Sequence, residues 1–163
     1  MPAKKRVRVF AFIDSQNLNL GVRSQGWRLD FARFRVYLKD KYKVNKAFLF
    51  VGYIPKNKKL YEFLEKSGYE LIYKPVVESK RLPTKTKGNV DAELVLHTMI
   101  QFPKYDKAII VSGDGDFHCL AEYLDNKKKL LKIIVPNKKY SSLLRKFGRY
   151  IVNVGLMRNK LKQ

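Results

Sequence analysis

The chain has 163 residues and carries 35 Lys and Arg against 14 Asp and Glu, a formal net charge of +21 at pH 7. Hydrophobic residues make up 45%, enough for a packed interior rather than a disordered chain, and the length suits one domain over 1–163 with short basic termini. The single cysteine, Cys119, excludes a disulfide scaffold and fits a reducing compartment, the cytoplasm; no apolar run approaches the ~18 residues of a membrane span, and residues 1–6 lack the apolar stretch of a secretory signal.

From the N-terminus the pattern alternates strand and helix. Residues 7–13, β-branched and aromatic, predict the first strand, and 17–24 a helix or turn. Asp30 is an N-cap for a helix over 31–39, in which Phe31, Phe34 and Leu38 recur at helical spacing. A second strand covers 47–53 and ends at Pro55, a helix over 58–66 stops at Gly68, and a third strand covers 69–73. Residues 75–88 show no clear period, and a loop of that length in a compact domain is more often functional than idle. Then come a helix over 89–99, a fourth strand over 108–111, a helix over 116–124, and a fifth strand over 130–135 halted by Pro136. A last helix over 141–147 and a short strand at 150–152 complete the chain. Such alternation, with near-continuous apolar strands, predicts a mostly parallel sheet covered on both faces. Right-handed crossovers then bring every strand's C-terminal end to one edge, where ligands bind at the point of reversal in strand order.

In a chain short of acids, their placement is informative. Asp14 follows the first strand; Asp114 and Asp116 follow the fourth, in Val111-Ser112-Gly113-Asp114-Gly115-Asp116-Phe117; Asp91 lies in the first turn of the helix after the long loop. With a strand order of 3-2-1-4-5, Asp14 and Asp114 meet and Asp91 leans over them. A lone Asp after a strand is usually a turn or cap residue, but carboxylates converging at one edge repel each other unless a cation neutralises them. Oxygen donors without His or Cys suit Mg2+ or Mn2+ rather than Zn2+. Asn17 and Ser112 flank the acids, placed to orient water or phosphate. Gly113 and Gly115 allow a tight turn. His97 and Cys119 read as structural, Cys119 as a small buried hydrophobe.

The excess of positive charge points to a polyanion. A membrane surface would call for a basic amphipathic helix or a lipidation signal, whereas here the charge is spread along the whole chain, so nucleic acid is the expected partner and a membrane is not. Lys80, Arg81, Lys85 and Lys87 of the long loop, with Lys4, Lys5 and Arg6, are candidates for gripping phosphates. An acidic pocket within a basic surface is what a metal-dependent nuclease needs, one holding phosphates and the other a metal that activates water. No P-loop and no Gly-x-Gly-x-x-Gly after the first strand is present, and Gln16 stands where an aspartyl phosphatase would want a second acid.

Phe12-Ile13-Asp14-Ser15-Gln16-Asn17, Gly88-Asn89-Val90-Asp91 and the segment from Val111 to Phe117 together resemble the NYN branch of the PIN-like nucleases, in order and spacing and over about the whole chain. The resemblance implies a three-layer α/β/α sandwich with a mostly parallel sheet and a divalent-metal ribonuclease site, that of an endonuclease. It carries the metal-ligand acids onto Asp14, Asp91, Asp114 and Asp116, and a neighbouring polar residue onto Asn17. It also implies that two copies could pair as a homodimer. The alternative is a non-catalytic RNA-binding module with a vestigial metal pocket, in which tyrosines such as Tyr53, Tyr61 and Tyr73 stack bases.

Overall fold

The computed structural model describes residues 5–75 and 90–163. Over these residues six strands, all parallel, form one sheet in the order β3-β2-β1-β4-β5-β6. The strands are β1 (Val9–Asp14), β2 (Val44–Tyr53), β3 (Tyr69–Pro75), β4 (Lys107–Val111), β5 (Leu130–Val135) and β6 (Ile151–Asn153). The helices are α1 (Ser15–Arg23), α2 (Phe31–Tyr42), α3 (Lys58–Lys66), α4 (Asp91–Ile100), α5 (His118–Asn126) and α6 (Arg158–Leu161).

The layers follow from the period of two along each strand. In β1, Val9, Ala11 and Ile13 join a core with Leu18 and Val22 of α1, Phe34 and Leu38 of α2, and Tyr61 and Leu64 of α3. The alternate residues Phe10 and Phe12 join a second core with Leu94 of α4, Leu120 and Leu124 of α5, and Leu144 and Phe147. Every residue of β1 is buried, as a central parallel strand with both faces covered requires. The result is the three-layer α/β/α sandwich of a PIN-like fold.

The strand order matches the expected 3-2-1-4-5 with the short last strand added beside β5. Some boundaries differ. The first helix begins at Ser15 rather than at 17, because Asp14 ends the strand and caps the helix at once. The helix expected from Asp116 starts as a 3-10 turn over Gly115–Phe117 and becomes α-helical at His118. The expected last helix is a 3-10 segment, Ser142–Tyr150, with a kink at Phe147; its buried residues, Leu144 and Phe147, are three apart, which suits three residues per turn. The loop beginning at Pro75 lies, apart from Pro75 itself, outside the described residues. Among the described residues no helix is long and apolar enough to cross a membrane.

Candidate metal centre

β1 and β4 lie side by side, with Ile13 opposite Val111, and the chain leaves their C-terminal ends in different directions. A crevice opens there, at the switch point where ligands collect in such sheets. Asp14 sits at its base, buried at 6% exposure. One of its oxygens, Oδ1, accepts the backbone N–H of Asn17 at 3.2 Å and caps α1. Beyond β4 the chain makes a tight series of turns. The buried Ser112 accepts the N–H of Asp114 on its Oγ at 3.1 Å. Asp114 in turn accepts the N–H of Asp116 at 2.9 Å and caps the 3-10 turn.

Asp91 is the first residue of α4, and α4 packs with the 3-10 turn in the same core through Val90, Leu94 and Phe117. One carboxylate oxygen each from Asp91, Asp114 and Asp116 lies within 4.8 Å of the others. Asp14 stands outside this trio but close enough that the Asp114 charge acts on it. The acids thus gather around Asp114, with Asp14 at the base of the crevice and one of its oxygens committed to the helix cap.

The electrostatics reflect crowding. Burial, and then the charge of Asp114, hold the Asp14 carboxyl up at about 6, against the pull of N–H groups from Asn17 and Gln16. Asp91 is pushed up to about 7, by burial first, then by the Asp114 charge, a hydrogen bond with Asp116 and the charges of Asp14 and Asp116. Carboxylates so destabilised as anions bind cations well, because a cation removes the repulsion that protonation otherwise relieves. A donor set made only of carboxylate oxygens fits a hard divalent ion.

The flanking residues hold the crevice in shape. Asn17 accepts the N–H of Gly113 on Oδ1 at 2.9 Å, which ties the first turn of α1 to the loop after β4. The same loop is braced from its other side: Ser141 donates its N–H to the Gly113 carbonyl at 3.0 Å. A Cβ on Gly113 would lie 3.3 Å from Pro136 and from Tyr140, and one on Gly115 would collide with the Ser141 hydroxyl. Pro136, Tyr140 and Ser141 are contributors that the sequence reading did not assign. They come from the segment after β5, and nothing in their local pattern announces a contact with residues some twenty-five positions away.

The remaining assignments divide. His97 packs its ring against Phe50, with centroids 5.7 Å apart, in keeping with a structural role. Cys119 is exposed, not buried: the apolar face of α5 is set by Leu120, Ala121 and Leu124, and Cys119 falls off it. Its sulfur lies 3.2 Å from Nε2 of His118, whose Nδ1 is 2.9 Å from the Gly115 carbonyl. Lys5 and Arg6 are exposed and precede β1, and Lys5 acts on Asp106 just ahead of β4. They therefore occupy the N-terminal edge of the sheet, about 20 Å from the acids at the strand rise of ~3.3 Å per residue, and are not brought to the crevice. Lys4, Lys80, Arg81, Lys85 and Lys87 lie outside the described residues.

The family model of the NYN domain matches residues 8–154. The chain is similar to the low amplitude and bright protein LabA of Synechococcus elongatus, at 23% identity over 147 residues, covering 78% of this chain and 73% of that protein. Among solved structures it is similar to VPA0982 of Vibrio parahaemolyticus, a protein of unknown function. The TM-score is 0.80 and the identity 23%, with all of both chains covered.

Proposed function

The chain belongs to the NYN domain family, and from that premise we propose that it is a divalent-metal-dependent ribonuclease hydrolysing phosphodiester bonds at the C-terminal edge of its sheet. The observation that carries this reading is the meeting of three carboxylates, Asp91, Asp114 and Asp116, within 4.8 Å beside a fourth, Asp14, in a chain of net charge +21.

Asp91, Asp114 and Asp116 would hold Mg2+ or Mn2+, with Asp14 adding charge from below. When bound, such an ion supplies the charge that acidifies a water and offsets the negative charge building on the phosphate. To Asp14, which lies outside the trio of metal ligands, we assign acceptance of the proton from the attacking water. We assign to Asn17 the orientation of water or a phosphate oxygen. Ser112 keeps the Asp114 backbone in position. Lys80, Arg81, Lys85 and Lys87, just ahead of Asp91 in sequence, are our candidates for phosphate contacts. Such contacts do not read sequence, so sequence preference should be weak. The lone Cys119 agrees with a cytoplasmic setting.

The test is cleavage of end-labelled single-stranded RNA and DNA at near-physiological salt, with Mn2+ or Mg2+, with chelator, and with an Asp14→Asn, Asp114→Asn double variant. RNA is expected to be cut with metal, and the cutting to vanish in chelator and in the variant. Tight binding without cutting, unchanged in the variant, would overturn the reading in favour of a binding module.

A further inference from the structure

The first helix has a second flank, away from the acid cluster. Between α1, the end of β2 and α3 lies a groove of about 460 Å3, a volume typical of sites for small organic ligands. Ser15 and Gln16, the two residues directly after Asp14, line it, so it opens beside the candidate metal centre. From there it runs toward Arg23, which ends α1 at about 12 Å along the helix axis from Ser15.

The walls are of two kinds. Ile54, Leu60 and Tyr61 form an apolar side. Tyr61 is fixed in place, its hydroxyl accepting the N–H of Ile54 at 2.9 Å and donating to the carbonyl of Gly52 at 3.2 Å. Ile54 and Leu60 are left 41% and 48% exposed. The polar side presents Gln16, Asn19, Asn57, Arg23 and Arg28. Among the described residues, none of these five side chains has a hydrogen-bond or ion-pair partner. Two guanidiniums without counter-ions and three unpaired carboxamides thus face an apolar surface across one groove.

One ligand class uses all of these groups. A flat heterocycle laid on the half-exposed Ile54 and Leu60 removes apolar surface from water. Each carboxamide offers a donor and an acceptor to the edge of an unpaired base. The two arginines match phosphate oxygens in a fork geometry. We infer that the groove holds an unpaired nucleotide of a single strand bound at the acid cluster. The identity of that strand as a substrate rests on the nuclease reading above; the binding does not. A base in a duplex is stacked and paired and reaches the groove only if it is flipped out.

The test is made first in chelator, so that binding is read without chemistry. A single-stranded oligoribonucleotide containing 4-thiouridine is photo-crosslinked to the wild-type protein and the adducts are mapped by mass spectrometry. Affinity is measured by fluorescence anisotropy at near-physiological salt for an Arg23→Gln, Arg28→Gln pair and a charge-matched Lys104→Gln, Lys128→Gln pair on loops at the other edge of the sheet. The expected result is adducts on residues 54–61, about tenfold weaker binding for the arginine pair, less than about twofold for the lysine pair, and no competition by duplex. Adducts confined elsewhere, equal losses in the two pairs, or no binding would overturn the inference. With Mn2+ restored, the arginine pair is expected to raise KM and leave kcat unchanged. Groove adducts in a protein that cuts nothing would retain this inference and remove the nuclease reading. Metal-dependent cutting with adducts outside the groove would do the reverse.

Discussion

Asp14 carries two duties that conflict. Its Oδ1 caps α1 through the Asn17 N–H, and its buried charge is opposed by Asp114. With the carboxyl raised from 3.8 to about 6 in the folded protein, the native state binds the proton more tightly than the unfolded chain does. The resulting stabilisation is complete below about pH 4 and is lost as pH rises through 6, and Asp91, at about 7, extends the loss toward neutrality. In chelator, the melting temperature contributed by these groups should therefore fall between pH 5 and 8. Asp14→Asn keeps an acceptor for the cap but cannot ionise. It should flatten that slope and stabilise the metal-free protein at pH 7.5 by up to about 3 kcal/mol, measured by thermal denaturation. Asn17 tests a different residue-level link. Asn17→Ala leaves the Gly113 N–H without its 2.9 Å acceptor and should cost about 1–2 kcal/mol, with cleavage falling while all four acids remain.

At the scale of elements, the crevice depends on how the loop after β4 is clamped between α1 and the segment after β5. Gly115 touches Ser141 so closely that no side chain fits. Gly115→Ala should lower stability by about 1–3 kcal/mol through overpacking, and adding Ser141→Gly should recover much of the loss, read as paired denaturation curves. That second glycine removes only the Ser141 cap of the 3-10 segment, which bonds the Leu143 N–H at 3.2 Å. This clamp also marks the limit of what the linear pattern reveals. The strands were legible because residues such as Phe12, Leu49, Ile110 and Ile133 sit in apolar runs ended by acids, glycine or proline, and parallel strands buried on both faces require such runs. Asp14, Asp114 and Asp116 were legible because they stand at or just after strand ends, and Asp91 because it opens a helix. The brace from Pro136, Tyr140 and Ser141 was not, since a loop packing on a distant loop leaves no period. The distance of Lys5 and Arg6 from the acids was implicit in the chain order, since residues that precede a strand lie at its N-terminal end and Asp14 lies at the other.

At the scale of the whole molecule, charge and metal act on different steps. Ion pairs between described residues engage Arg8, Arg33, Lys46, Lys146 and Arg149, and the excess of 35 Lys and Arg over 14 Asp and Glu leaves a strong positive field for a polyanion. For single strands, log K falls with log salt at a slope of about −0.7 per phosphate contacted. With about five contacts, a rise from 50 to 200 mM salt should weaken RNA binding on the order of 100-fold. A divalent ion bound as proposed should respond differently, because the acid cluster and not the basic surface would hold it. An ion that binds only the folded state at a hundredfold excess over its Kd stabilises by about 2.7 kcal/mol. Mn2+ should therefore raise the melting temperature of the wild type at pH 7.5 and leave an Asp91→Asn, Asp114→Asn variant unmoved. Cleavage at saturating RNA should then keep its kcat across the salt range while KM climbs, since salt displaces the strand from the surface but leaves the metal among the acids. A kcat that fell in step with binding would mean instead that the basic surface also takes part in the chemical step.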